Sequence, residues 1–111
     1  MKNIKKGSEV LFKAKELISS FSQAIGLMFQ KPKPVLMIFK KPRKTLGIHM
    51  MFCFWPLDLV FLNQKKQVVE IKECLKPFRF YTAKQTAKYL IETPNGFVKK
   101  HKLKVKDQLS F

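Results

Sequence analysis

The fold of this chain is decided by residues 57–73, which read LDLVFLNQKKQVVEIKE. The first six residues form an apolar run of strand length that only Asp58 interrupts. The next five, NQKKQ, are polar and suit a hairpin loop. In the last six, apolar and charged side chains alternate with the period of two that a half-buried strand requires. The stretch therefore predicts two neighbouring strands joined by a polar loop.

Strand patterns also lie on both sides of this hairpin. The further predicted strands are residues 8–15, 35–39, 45–55, 87–93 and 105–111, with a hinge at Pro56, a charged turn at 40–44 and a turn at 94–96. Helical spacing predicts one short helix from Ser19 or Ser20 through Met28, and a second over residues 97–101. The chain is thus predicted to be an α+β, β-dominated protein. We expect about seven mostly antiparallel strands in a barrel-like or strongly bent sheet, with two short helices.

Length and composition indicate one compact unit. The chain has 111 residues, of which 46% are apolar, and 11 phenylalanines supply the bulk of a core. We predict a single domain over residues 1–111, with residues 1–7 as a flexible N-terminal tail.

Two features of the sequence bear on localisation. The most apolar stretch, residues 50–62, is shorter than the roughly 20 residues that a bilayer requires. No apolar export segment follows the basic N-terminus, and the two cysteines, Cys53 and Cys74, form no pattern typical of secreted proteins. These features predict a cytoplasmic protein with no membrane partner.

Six blocks of sequence, spread from about Val10 to the end of the chain, are similar to one family. They are GLMF at 26–29, IHM at 48–50, FWPLDLVFL at 54–62, VVEI and LKPF at 68–71 and 75–78, AKYLIETPNG at 87–96 and VKDQLSF at 105–111. In these blocks the chain resembles domain-of-unknown-function family 192, also called uncharacterised protein family 0127. The histidine before Met50 is more similar to archaeal members than to bacterial ones, many of which carry an export signal.

The resemblance implies a compact β-rich fold with flanking helices, and it implies no particular activity. The chain departs from the family pattern in three places. Lys106-Asp107 stands where members show Gly-Asp, Asn63 stands where many have an acidic residue, and 92–96 reads ETPNG where Glu-Leu-Pro-x-Gly is usual. Because lysine lacks the backbone freedom of glycine, we expect the turn into the last strand to differ here.

The charge balance favours a polyanionic partner. Lys and Arg number 23 against seven acids, a formal net charge of +16. Two clusters carry much of this charge: Lys31, Lys33, Lys40, Lys41, Arg43 and Lys44 around one strand, and Lys99, Lys100 and Lys102 beside His101. Such clusters can bind nucleic acid without reading its sequence, since each neutralised phosphate releases counterions. An AT-rich coding bias is the alternative explanation of the lysine excess.

Polar and aromatic residues that interrupt the apolar blocks predict a ligand pocket. Its residues are His49, Trp55, Asp58, Phe78 and Arg79, with Phe80 beside them. A carboxylate at Asp58 must be hydrogen-bonded, paired or neutral. It either accepts backbone amide protons at the Pro56 hinge, lines a cleft near His49, or is an edge-strand charge. The aromatics around Arg79 either offer stacking surfaces to single strands or, in the preferred interpretation, plug one end of the barrel.

No catalytic residue, metal site or cofactor is predicted. The motifs GxSxG, GxxxxGK, GxGxxG and HExxH are absent, and His49 with Cys53 has no further ligand at metal-binding spacing. Three functions stay open. The favoured one is a small ligand- or partner-binding module, and the alternatives are non-specific polyanion binding through the lysine clusters and a hydrolase-like enzyme using Asp58 and His49. The ligand, the oligomeric state and the biological process are not predicted.

Overall fold

The computed structural model describes residues 1–18, 33–50 and 53–111. These residues are mostly strands. In chain order the elements are β1 (Lys2–Lys6), β2 (Glu9–Leu17), β3 (Val35–Arg43), β4 (Gly47–His49), β5 (Leu57–Leu62), β6 (Val68–Leu75), β7 (Phe80–Thr82), β8 (Ala87–Pro94), α1 (Phe97–Lys100) and β9 (Leu109–Ser110). The predicted dominance of strands is confirmed, but α1 is the one helix within the described ranges. The helix predicted from Ser19 or Ser20 falls outside them.

Seven of the strands form one sheet in the order β6-β5-β8-β3-β2-β1-β9, and β4 pairs with β7 in a separate two-stranded sheet. Every neighbouring pair is antiparallel except β2 with β3. The large sheet is not a closed barrel in the described part of the chain. Its two ends meet at an isolated bridge between Gln67 and Gln108, where backbone hydrogen bonds also join Val68 to Asp107 and Leu109 to Lys66.

The centre of the large sheet is buried on both faces. In β5, Leu59 and Phe61 belong to one core cluster, whereas Val60 and Leu62 belong to the other. Successive side chains of a strand point to opposite faces, so a strand covered on both sides reads as one continuous apolar run. The first core cluster also takes side chains from β4, β7 and the segment before β5, and the second takes them from α1 and the segment after it.

The hairpin at residues 57–73 forms as predicted, with β5 and β6 antiparallel around a polar loop. Asn63 holds that loop, because its Oδ1 accepts the backbone N–H of Lys65 at 2.9 Å and of Gln67 at 3.0 Å. A short polar side chain that bonds its own neighbours in this way is typical of turns. The predicted strand at 87–93, with its following turn and short helix, is also confirmed.

Several local predictions are wrong, and pairing explains each difference. Residues 1–7 are not a flexible tail, because β1 pairs with both β2 and β9 and Ile4 is fully buried. The basic run at 40–44 is not simply a turn, since β3 continues to Arg43, which lies opposite Ala87 of β8. Lysines are tolerated in this part of β3 because their side chains are exposed.

Two of the strand predictions are also too long. Of residues 45–55, the described ones contain only the three-residue strand β4. Of residues 105–111, only Leu109–Ser110 forms a strand. An apolar pattern alone does not specify whether a neighbouring strand is present to pair with, so it overestimates strand length here.

Candidate functional site

Asp58 is buried and engaged by the main chain. Its Oδ1 accepts the backbone N–H of Cys74 at 2.9 Å, and its Oδ2 accepts those of Gly96 at 3.0 Å and Val98 at 3.1 Å. The expectation that this carboxylate accepts backbone amide protons is confirmed. The donors, however, belong to β6 and to the start of α1 and not to the hinge at Pro56. Asp58 therefore connects β5, β6 and the start of α1, and its side chain is not exposed to solvent.

His49 lies elsewhere. It is exposed on β4, where it stands opposite Phe80 of β7. Both His49 and Asp58 belong to the described residues, and no hydrogen bond or ion pair joins them. The geometry thus lacks the acid–base pair that a hydrolase using these two residues would need.

The other predicted pocket residues lie at an exposed surface. Four aromatic side chains, which we call the aromatic platform, are Phe54, Trp55, Phe78 and Phe80, with exposed fractions of 51%, 39%, 48% and 72%. The Phe54 ring meets those of Trp55 and Phe78 edge-on, at centroid distances of 6.4 and 5.6 Å. Arg79 is exposed between Phe78 and Phe80. Phe54 was not among the predicted pocket residues. The only indication in the sequence was its position next to Trp55, which was predicted.

Met50 holds the platform together through its backbone. Its N–H donates to the carbonyl of Arg79 at 2.8 Å, and its own carbonyl accepts the N–H groups of Phe78 at 2.9 Å and Cys53 at 3.2 Å. The Met50 side chain is itself buried in the first core cluster. The two chain segments that carry the aromatic rings are therefore fixed to each other and to the core.

The aromatic residues around Arg79 do not act together as a core plug. Phe78 and Phe80 are exposed, and Phe78 adopts a left-handed backbone with φ of 61°, which is uncommon for a bulky residue. Tyr81 behaves differently. It packs on Phe61 at 5.9 Å between centroids and donates a hydrogen bond to Glu70. Only Tyr81 fits the plug interpretation.

A thiol and a carboxyl group are buried near this region. Cys53 precedes Phe54 and belongs to the first core cluster. Glu92 of β8 is 5% exposed and lies opposite two residues of the same cluster, Val35 and Leu59. Burial raises the pKa of Glu92 to about 7, and burial together with the Glu92 charge raises the pKa of Cys53. Sequence analysis did not single out Glu92, although it interrupts an apolar strand just as Asp58 does.

The two basic clusters lie at opposite ends of β8. Lys40, Lys41, Arg43 and Lys44 are exposed, and Arg43 is opposite Ala87, where β8 begins. Lys99, Lys100 and Lys102 are also exposed but follow Pro94, where β8 ends. Eight residues of strand span about 25 Å, so these clusters do not form one patch. Lys33 is exposed just before β3, and Lys31 is outside the described residues.

The described residues offer neither a metal site nor a membrane-spanning helix. They contain no group of three or more His, Cys, Asp and Glu side chains arranged to hold a metal ion. None of their helices has the length and apolar character needed to cross a membrane.

Fold and surface together define a β-dominated protein with an open, mostly antiparallel sheet and an exposed aromatic platform. The family model DUF192, described as an uncharacterised ACR, matches residues 2–111. The chain belongs to this family, which confirms the resemblance seen in its sequence blocks. No specific activity is established for the family.

Related sequences and structures agree with this assignment. The chain is 37% identical over 114 aligned residues to a UPF0127 protein of Pyrococcus furiosus, covering 100% of this chain and 97% of that one. It is 35% identical to a UPF0127 protein of Pyrococcus horikoshii, over 84% and 82% of the two chains. A protein of unknown function from Novosphingobium aromaticivorans has the same fold, with a TM-score of 0.82, 21% identity and coverage of 90% and 75%. The sequence relatives are archaeal, as the form of the His49 block predicted.

Proposed function

We propose that this protein is a binding module, not a catalyst, and that the aromatic platform is its binding surface. The observation that carries the proposal is the exposure of four large aromatic side chains, Phe54, Trp55, Phe78 and Phe80, on two segments held by hydrogen bonds. Single exposed apolar residues are ordinary on protein surfaces, whereas a larger exposed apolar patch is typical of an interaction site. Phe54 contacts both Trp55 and Phe78, and Phe80 follows Phe78 by two residues in the chain.

The construction of the platform supports this proposal. The backbone of Met50 joins its two segments by hydrogen bonds, so the main chain that carries the rings is already fixed. A surface that is already ordered loses little conformational entropy on binding. Phe80, the most exposed ring, belongs to β7, whose backbone is fixed by its pairing with β4.

The charges around the platform favour ligands that are both planar and negatively charged. Arg79 lies within it, and the exposed Lys76 comes two residues before Phe78. A planar anion would meet aromatic faces and a cation at the same place.

Trp55 makes the proposal testable, since it is the only tryptophan of the chain. The dye anilinonaphthalene sulfonate is a planar aromatic anion whose emission rises when it leaves water. We expect it to bind the folded protein and to accept excitation energy from Trp55. We expect Phe78→Ala and Phe80→Ala to weaken this binding, whereas the control Val105→Ala, which alters an exposed apolar side chain elsewhere, leaves it unchanged. Equal binding by all four proteins would contradict the proposal.

Non-specific polyanion binding through the lysine clusters is the second candidate. The net charge of +16 and the exposure of Lys40, Lys41, Arg43 and Lys44 favour it. It predicts binding that weakens steeply with salt and ignores the aromatic platform. Titration with polyphosphate, which has charge but no planar groups, measures this second function by itself.

A further inference from the structure

We infer that the partner of the aromatic platform is a single-stranded nucleic acid, bound without sequence preference by stacking on the rings and by cations beside them. The inference rests on the proposed function and specifies its ligand. Every nucleobase has a flat π-face, so exposed aromatic side chains next to a basic surface bind single strands of any sequence. The platform supplies the first of these two elements.

The small sheet connects the platform to a basic surface. At one end of it Phe80 stands opposite His49, and at the other end Gly47 stands opposite Thr82. Beyond that end, the N–H of Ala83 donates to the carbonyl of Leu46 at 2.8 Å. Three residues of strand extend about 10 Å, so the rings and the residues past Leu46 are close neighbours.

Cations occupy the far end of this path. The exposed residues there are Lys40, Lys41, Arg43 and Lys44 at the end of β3 and its following turn, and Lys84 just after Ala83. Arg79 supplies a cation at the platform end. A phosphate backbone could thus follow the small sheet while its bases reach the aromatic rings.

Four of the seven acidic side chains are buried, paired or hydrogen-bonded within the protein. Asp58 and Glu92 are buried, and Asp107 forms an ion pair with Lys6 at 3.1 Å. Glu70 lies nearest the path, but its carboxylate accepts hydrogen bonds from the Tyr81 hydroxyl and from the backbone N–H groups of residues 84 and 85. The cations at the two ends of the path, Arg79 at one and Lys40, Lys41, Arg43, Lys44 and Lys84 at the other, outnumber the nearby acids Glu70 and Glu73. This excess of positive charge complements a polyanion.

The same residues argue against duplex DNA and against base recognition. In a duplex the bases already stack on one another and cannot reach exposed rings. The arginine fork that recognises guanine in grooves is scarce here, since Arg43 and Arg79 are the only arginines of the chain. We therefore expect single strands to bind more tightly than duplexes, and base sequence to matter little.

The experiment is a titration of a fluorescently labelled oligothymidylate of about 12 nucleotides, a typical length for one such site, with nuclease-treated protein at several salt concentrations. We expect binding that quenches Trp55 emission. Since stacking contributes about 5- to 100-fold per base, Phe78→Ala and Phe80→Ala should each weaken binding by that factor without changing its salt dependence. Val105→Ala is the matched apolar control and should bind as the unaltered protein does.

Arg79→Gln separates charge from stacking. It should lower the slope of log affinity against log salt by about 0.7, the value for one phosphate contact on a single strand. Lys104→Gln, which removes one exposed cation beyond α1, is its control and should leave the slope unchanged.

Four results would overturn the inference. Unchanged affinity in Phe78→Ala and Phe80→Ala, or equal affinity for polyphosphate and the oligonucleotide, would assign the binding to charge alone. Absence of oligonucleotide binding at low salt, with the dye still bound at the platform, would leave the proposed function standing with another ligand. Loss of both would contradict the proposed function as well.

Discussion

The carboxylate of Asp58 accepts a hydrogen bond from the backbone N–H of Val98, which lies 40 residues further along the chain. Asp58 is the second residue of β5, the first strand of the hairpin at 57–73. Val98 is in the only helix of the described residues. This contact joins β5 to the helix whose Val98 belongs to the second core cluster. Through its three hydrogen bonds Asp58 connects β5 with β6 and with the start of the helix.

Substitution of Asp58 should lower stability strongly. Asp58→Asn keeps the volume, but it replaces one accepting oxygen by an NH₂ group that faces backbone donors. Leaving buried donors without an acceptor costs about 1–3 kcal/mol each, so we expect a loss of about 2–4 kcal/mol in the free energy of unfolding. Urea denaturation measures it, and Glu73→Gln, which alters an exposed acid, is the control. A loss below about 0.5 kcal/mol, the range of surface substitutions, would contradict this role.

Glu92 should make the protein less stable as the pH rises. Burial raises the pKa of Glu92 from its ordinary 4.5 to about 7, so between these values the unfolded chain releases a proton that the folded chain retains. The Glu92 contribution is then complete below about pH 4.5 and is lost progressively up to about pH 7, on the order of 1–3 kcal/mol in total. Glu92→Gln should reduce this dependence and be more stable than the unaltered protein at pH 8. The free energy of unfolding is measured at pH 5 and at pH 8 for both proteins. If its change between the two pH values is the same in Glu92→Gln as in the unaltered protein, the prediction is contradicted.

Removal of a platform ring should leave stability nearly unchanged. Phe80 is 72% exposed, so Phe80→Ala should cost no more than about 0.5 kcal/mol. Phe61 is fully buried in the first core cluster, and Phe61→Ala should cost about 3–5 kcal/mol. Thermal denaturation of the two variants checks the contrast. A large loss of stability in Phe80→Ala would contradict this prediction, because it would show that the ring supports the fold.

The two cysteines should differ in reactivity. Cys74 is exposed, whereas Cys53 is buried and its thiol pKa is raised, which lowers the fraction of reactive thiolate. A thiol reagent such as dithionitrobenzoate should modify one group rapidly in the folded protein and the second only on unfolding. In Cys74→Ser the rapid phase should disappear. Its persistence there would place Cys53 at the surface.

How far the sequence predicts this protein depends on whether a feature is local. The hairpin at 57–73 could be predicted because its apolar run, its polar loop and its alternating strand are neighbours in the chain. That Asp58 accepts backbone amide protons was one of three interpretations its position in an apolar strand allowed, and it is the correct one. Its donors could not be predicted, because Cys74, Gly96 and Val98 reach it only through the pairing of β5 with β6 and β8.

The aromatic platform could not be predicted from the sequence. Phe61 and Phe80 are the same residue type, yet Phe61 is fully buried and Phe80 is the most exposed ring of the platform. Composition and short-range periodicity suffice to predict the strand-dominated class and the positive charge, and the resemblance of six sequence blocks indicates the family. Which aromatics face solvent, and which cations lie beside them, depends on the tertiary structure. Exposure is set by the strands that pack over each side chain, and those strands come from distant parts of the chain.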